Sequence, residues 1–213
     1  MLKFIDPTER WNVFTHALGV ILGIGVSIYF FTQHAAEVSR VLIALGVYCF
    51  SLVFLFSAST MYHAVSGDIK LTWRKIDHIA ILFLIAGTYT PVTLTLLYET
   101  SGVWILTGVW SIAAVGFVFK IFYTGRFEIL SLIMYLGMGW FILLDAQTVW
   151  ELFSANAFIF LILGNLTAKI FSILAISLLF GTSFPDSHLF NIFDDIPNSD
   201  ANCFCVLFLA FLA

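Results

Sequence analysis

Long apolar stretches alternate with short polar ones along this chain, and the apolar lengths match a bilayer. Apolar runs cover residues 11–31, 41–62, 76–98, 103–119 and 127–145, and a sixth covers 155–180. A helix needs about 20 consecutive apolar residues to cross the hydrocarbon core, so each of the first five is a candidate span. The polar stretches between them predict a loop at 32–40 and another at 64–75, which carries Lys70, Arg74 and Lys75. A tight turn is predicted at 99–102, a basic turn at 120–126 and a loop at 146–154, with Trp150 at an interface position. Asp6, Pro7 and Glu9 read as a helix start, with a capping side chain, a proline at the first helical position and a capping-box acid. Gly19, Gly23 and Gly25 are expected to let the first span pack closely, and Pro91 to kink the third.

The end of the chain breaks the rhythm. Lys169 stands in the middle of the sixth run, where it must snorkel or pair with Asp145 or Glu151. Residues 181–192 are mixed, and 194–202 read DDIPNSDAN, a segment no bilayer core accepts unpaired. The last apolar stretch, 203–213, is too short to span. The expected architecture is therefore all-α: one polytopic transmembrane domain over residues 1–213, a seven-transmembrane bundle with an irregular last helix.

Composition agrees. The chain is 61% hydrophobic and only 10% charged, with mean hydropathy +1.03; soluble domains carry about 25% charged residues. An integral membrane protein follows, with membrane lipids as its partners. No basic patch for nucleic acid is present, and nothing names a soluble partner. Three cysteines, Cys49, Cys203 and Cys205, make no disulfide framework, and Cys203-x-Cys205 reads as two apolar cysteines. No cleavable signal peptide is evident, because residues 1–10 are polar and the run after them is long enough to span. Under the predicted alternation Lys3, Arg10, Lys70, Arg74, Lys75, Lys120 and Arg126 fall on one side, and Arg40 on the other. The positive-inside rule then puts the N-terminus in the cytoplasm.

Against this apolar background the polar residues stand out. Glu9, Asn12 and His16 follow the i, i+3, i+7 spacing of one helix face. Ser59 and His63, in the stretch SASTMYH, are four apart and share a face of the second span. Asp77 and His78 open the third. All of these fall at one predicted depth, the cytoplasmic side. One reading is a metal or proton site. In it His63 ligates zinc through a neutral ring nitrogen, Asp77 holds a water or acts as general base, and Ser59 donates to either. A catalytic zinc usually has three protein ligands and a water, which it makes nucleophilic near neutral pH. Each residue also has a plainer reading. His63 can anchor at the headgroups, Asp77 can favour the positive end of a helix, Ser59 can bond back to its own helix, and Glu9 can serve as a cap. Asn12 and His16 can make interhelical hydrogen bonds. His78 is expected to diverge from Asp77 and lie at the interface, and His34 to be solvated in an exterior loop.

These motifs resemble a known family. Glu9-x-x-Asn12-x-x-Thr15-His16-x-x-Gly19 is similar to the first-helix motif of hemolysin III proteins, which group with the progestin and adipoQ receptors. Residues 57–63 resemble the second-helix motif, and Asp77-His78 with Ala86-Gly87-Thr88-Tyr89-Thr90-Pro91 the third. Phe119-Lys120 and Met138-Gly139-Trp140 fit later helices, so the motif-bearing core covers about residues 9–150. The resemblance implies seven helices, a cytoplasmic N-terminus and, as in the receptor branch, a zinc ion near the cytoplasmic face. His63 matches the second-helix ligand, with Ser59 and Asp77 matching the polar groups beside the metal. The family's other ligands form a His-x-x-x-His on the seventh helix, and this chain has none. His188-Leu189-Phe190 resembles the second histidine of that motif and its two successors, but Phe184 stands four residues earlier. Residues 154–213 thus read as a divergent or frameshifted version of the family's C-terminal part.

Two functional classes result. The first is a zinc-dependent membrane hydrolase acting on a lipid amide, suggested by the family's similarity to alkaline ceramidases. There His63 and His188 are the metal ligands, Asp77 and Ser59 the catalytic pair, and Glu9, Asn12 and His16 the supporting polar layer. The second is non-enzymatic: a sensor, or a membrane-perturbing, cytolytic or channel-like protein with the polar layer as a proton or ligand site. Either would sit in a bacterial-type plasma (inner) membrane.

Overall fold

Asp6 and Pro7 open the first helix as their chemistry requires. The Asp6 carboxylate accepts from the Thr8 hydroxyl at 2.7 Å and the Thr8 backbone N–H at 3.0 Å. These bonds, the hydroxyl's first, hold its carboxyl below the usual range. Pro7–Glu9 makes one 3₁₀ turn that runs into helix α1, Arg10–Gln33. In this computed structural model residues 6–124 and 126–152 are described. After α1 come α2 (Ser39–Ala64), α3 (Asp68–Thr95), α4 (Gly102–Tyr123) and α5 (Glu128–Trp140). A 3₁₀ segment, Phe141–Asp145, then leads into α6, Ala146–Leu152. Among the described residues there is no strand, and five helical stretches are long and apolar enough to cross a membrane. The fifth, Ile129–Glu151, strings α5, the 3₁₀ segment and α6 together. The described residues up to Val149 belong to one compact unit. The sixth and seventh expected spans lie outside the described residues.

Helix α3 is the centre of this unit. It packs most extensively against α2 and then α4, and also touches α5, while α1 reaches the bundle through α2. The burial pattern agrees. α3 buries thirteen residues, from Asp77 to Thr93, whereas α1 buries only His16, Gly19 and Gly23. The outward faces of α1 and α4 carry Phe14, Ile21, Leu22, Ile28, Val115 and Phe122, all exposed. Such a surface suits lipid, where apolar side chains need no protein cover.

Lipid supplies little hydrophobic drive between helices, so close packing and hydrogen bonds must hold them together. Gly19 lets α1 approach α2: a Cβ there would lie within 2.8 Å of three carbons of the Phe56 ring. Gly25, expected in the same contact, is not in it, because a Cβ there would meet nothing within 4 Å. Two residues beyond Gly23 is about 200° around the helix, so that position faces away. At the other side of α3 the Tyr89 hydroxyl reaches the Met138 carbonyl at 2.7 Å and the Gly139 carbonyl at 3.0 Å, and accepts from the Ile142 N–H at 3.2 Å. It therefore ties α3 to the point where α5 gives way to 3₁₀ geometry.

Two predicted boundaries change. The loop expected at 64–75 shrinks to residues 65–67, because the chain reverses at Gly67 with φ +71°, a conformation that favours glycine. Helix α3 then begins at Asp68, an acid in its first turn. Lys70, Arg74 and Lys75 thus lie on α3, and Asp77 sits more than two turns inside it, roughly 13 Å along the axis at 1.5 Å per residue. The helix-end explanation of Asp77 loses its force, since the dipole effect fades beyond the first turn. The basic turn expected at 120–126 also shortens. α4 continues through Lys120 to Tyr123, and Lys120 is 1% exposed.

Candidate functional site at one end of the bundle

The helices alternate in direction, so the start of α1, the end of α2 and the first turns of α3 share one end of the unit. Glu9 enters that end from the 3₁₀ turn before α1 and uses both carboxylate oxygens. Oε2 meets His63 Nδ1 at 2.6 Å and accepts from Asn12 Nδ2 at 3.1 Å. Oε1 accepts from Lys70 Nζ at 2.7 Å. The Lys70 ammonium also lies 5.1 Å from the centre of the Tyr62 ring. One acid therefore joins three helices.

His63, near the end of α2, is 2% exposed. Its ring lies parallel to that of His16 from α1, with centroids 5.3 Å apart and planes 8° from parallel. His16 is buried as well. A carboxylate can only accept, so His63 Nδ1 carries a proton, and in the neutral ring Nε2 then keeps its lone pair. That pattern, a histidine oriented through one nitrogen by a carboxylate, is the one that prepares the other nitrogen for a metal. Sharing α2's inner face, Ser59 is a hydrogen-bond partner of the buried Asp77 carboxyl on α3, and His63 lies close enough to Asp77 to act on it electrostatically.

The structure thus gathers Glu9, Asn12, His16, Ser59, His63 and Asp77 at one end. His188 lies outside the described residues. Among the described residues no three of His, Cys, Asp and Glu converge closely enough to hold a metal ion. The donor chemistry fits zinc in part: among the described residues one oriented imidazole nitrogen is present beside a carboxyl suited to hold or deprotonate a water, whereas a catalytic zinc usually has three protein ligands.

Sequence spacing does not reveal two of the participants. Lys70, expected in a loop, reaches Glu9 only because α3 starts early. Lys120, expected in a turn, is buried against His78, with Nζ 3.0 Å from His78 Nδ1. The Tyr135 hydroxyl donates to the His78 carbonyl at 3.2 Å. His78 does diverge from Asp77, toward α4 and α5, but it is buried rather than interfacial.

Two comparisons place the chain among known proteins. The sequence model of the family described as Haemolysin-III related matches residues 4–199, well beyond the motif-bearing core read from the sequence. The chain is 34% identical to the Hemolysin-3 homolog of Bacillus subtilis (strain 168), over 96% of this chain and 95% of that protein. It is 32% identical to Hemolysin-3 of Bacillus cereus, over 98% and 94% respectively. A shorter similarity, 30% identity over 39% of this chain and 20% of the other, links it to the Adiponectin receptor protein of Drosophila melanogaster. No solved structure matches.

Proposed function

We propose that this chain, which belongs to the Haemolysin-III related family and is a multi-pass membrane protein, is a zinc-dependent hydrolase of a lipid amide. The observation that carries the reading is the Glu9 carboxylate on His63 Nδ1 at 2.6 Å, beside a buried carboxyl paired with a serine. His63 would hold the metal through Nε2, with His188 as a second ligand. Zinc, when bound, supplies a Lewis acid that lets water lose a proton near neutral pH. Asp77 accepts that proton from the attacking water and passes it to the leaving amine nitrogen, so that acid and amine are the products. Ser59 orients the water or the substrate carbonyl, and Glu9, Asn12 and His16 hold His63 in place. Burial of Ser59, His63 and Asp77 keeps bulk water from the proton transfers.

In this reading the site faces the cytoplasm of a bacterial-type plasma membrane. Support comes from charge. Arg10, Lys70, Arg74, Lys75, Lys120 and Arg126 sit at the end of the helices that carries the site, whereas Arg40 stands at the opposite end, 3.9 Å over the Tyr98 ring.

Turnover of an N-acyl lipid amide in proteoliposomes tests the hydrolase. Release of fatty acid by the parent, and its loss in His63→Ala and Asp77→Asn, is the expected result. A parent that releases nothing across a panel of lipid amides refutes it. The name Hemolysin-3, carried by a relative that aligns over nearly the whole chain, favours a second reading, a membrane-perturbing protein. Leakage of a trapped dye from liposomes without lipid turnover would support it, and intact liposomes would sink it.

A further inference from the structure

We infer that Lys70 is a positioning residue for the site: it sets the Glu9 carboxylate, and through it the tautomer and angle of His63. The inference deepens the zinc reading and rests on it for its functional meaning, but the positioning can be read without any metal.

Geometry singles out Lys70. Glu9 precedes α1, and α1 touches the rest of the unit mainly through α2. A glutamate carboxylate at the end of a peripheral helix has three rotatable bonds before its oxygens and no reason of its own to point at His63. Asn12, three residues on in α1, donates to Oε2 at 3.1 Å and moves with α1. Lys70 is different. It belongs to α3, the central helix, and takes the opposite oxygen at 2.7 Å. With Oε1 fixed to α3 and Oε2 facing α2 at 2.6 Å, the carboxylate plane is pinned between two helices. The Lys70 side chain is itself confined. It is 30% exposed, and its ammonium lies over the ring of Tyr62, the neighbour of His63 on α2.

The turn that makes this geometry is short. Gly67 reverses the chain with positive φ, and Lys70 comes in the first turn of α3, its N–H bonded to the Gly67 carbonyl at 3.0 Å. The α2–α3 turn thus places Lys70 and His63 on either side of one acid. Outer partners of a metal-binding histidine are worth about 10–100-fold in metal affinity. Lys70 acts one bond further out, so its removal should cost about tenfold, the low end of that range.

The test uses full-length protein in detergent with ¹⁵N-labelled histidine, as parent, Lys70→Met and Lys70→Arg. Ring-nitrogen shifts of His63, assigned by their loss in His63→Gln, report its tautomer in the metal-free state. Zinc affinity by chelator competition is measured on the same samples. The expected result is an Nδ1–H tautomer in the parent, a mixture of tautomers in Lys70→Met with zinc bound about tenfold more weakly, and recovery of both in Lys70→Arg. A parent that shows the Nδ1–H tautomer and its loss in Lys70→Met, but binds no zinc, refutes the zinc reading and leaves the positioning role standing. Unchanged His63 shifts in Lys70→Met overturn the inference. If Lys70→Met fails to fold, Lys70→Gln takes its place, and parent-like shifts there overturn it equally.

Discussion

Replacing Glu9 by glutamine keeps the shape of the side chain and removes its charge, which makes it a direct probe of the three-helix junction. The carboxylate accepts from His63, Lys70 and Asn12 at 2.6, 2.7 and 3.1 Å. An amide has one acceptor oxygen and one NH₂. If the oxygen stays toward His63 and Asn12, the NH₂ confronts the Lys70 ammonium, donor against donor, and Lys70 turns out to solvent. Being 30% exposed, it loses a bond of the partly exposed kind, worth up to about 1 kcal/mol. The His63 bond survives but is no longer charge-assisted. Such bonds are about twice as strong as neutral ones, and a buried neutral bond is worth about 1 kcal/mol, so about another 1 kcal/mol goes. The total is about 2 kcal/mol of stability, spread over the contacts of α1 with α2 and α3. Reversible unfolding in mixed micelles, tracked by far-UV circular dichroism at fixed detergent ratio, measures it. A loss below about 0.5 kcal/mol, the ordinary scatter of inert surface changes, would mean that the Glu9 contacts do not hold the helices and would refute the reasoning.

Tyr89→Phe removes the hydroxyl that serves the Met138 carbonyl and the Ile142 N–H; interhelical hydrogen bonds in membranes are worth about 0.6–2 kcal/mol, and a matching fall in unfolding free energy is expected in the same micelle assay. Gly19→Ile thrusts a branched side chain into the Phe56 ring. It should separate α1 from α2, read as reduced disulfide cross-linking between cysteines placed at Gly23 and Val53, where a Cβ at Gly23 lies 3.4 Å from Val53 Cγ2, whereas Gly25→Ile should leave the cross-link at parental yield. Cysteines at Ile69 and at Glu37, both exposed, should react with a membrane-impermeant maleimide from opposite sides of the membrane, Glu37→Cys in intact cells and Ile69→Cys only after permeabilisation. The reverse pattern would invert the proposed orientation.

Much of the fold is legible in the sequence because a run of about 20 apolar residues is among the strongest signals a chain carries. All five described spans emerge from it. Their ends are harder. Lys70, Arg74 and Lys75 look like a loop because cations gather at membrane edges, yet a helix carries them just as well, and the true break depends on one glycine. Lys120 looks like a turn residue for the same reason. Its burial depends on His78, 42 residues earlier in the chain, a tertiary fact that local pattern does not contain. Among the glycines, spacing by four marks one helix face, so Gly19 and Gly23 go together and Gly25 does not.

The site shows the same division. Ser59 with His63, and Glu9 with Asn12 and His16, can be placed on common faces because their spacing is helical. That Glu9 reaches His63, 54 residues away, and Lys70, 61 residues away, is invisible there, because pairing between helices depends on register and depth rather than sequence spacing. The tautomer of His63 comes only from that pairing. Depth explains why Asp77 changes character. With α3 beginning at Asp68, Asp77 moves from a helix end into the interior, where a carboxyl needs a partner such as Ser59.

The central claim is that the Glu9-held histidine prepares a zinc ligand, and metal content tests it most directly. Protein purified in detergent without chelators, alongside His63→Ala and His188→Ala, is assayed for metals by elemental analysis. About one zinc per chain is expected in the parent, as for a single site, with loss of that zinc in both variants. A folded parent that carries no zinc, and takes up none when zinc is supplied, would contradict the claim.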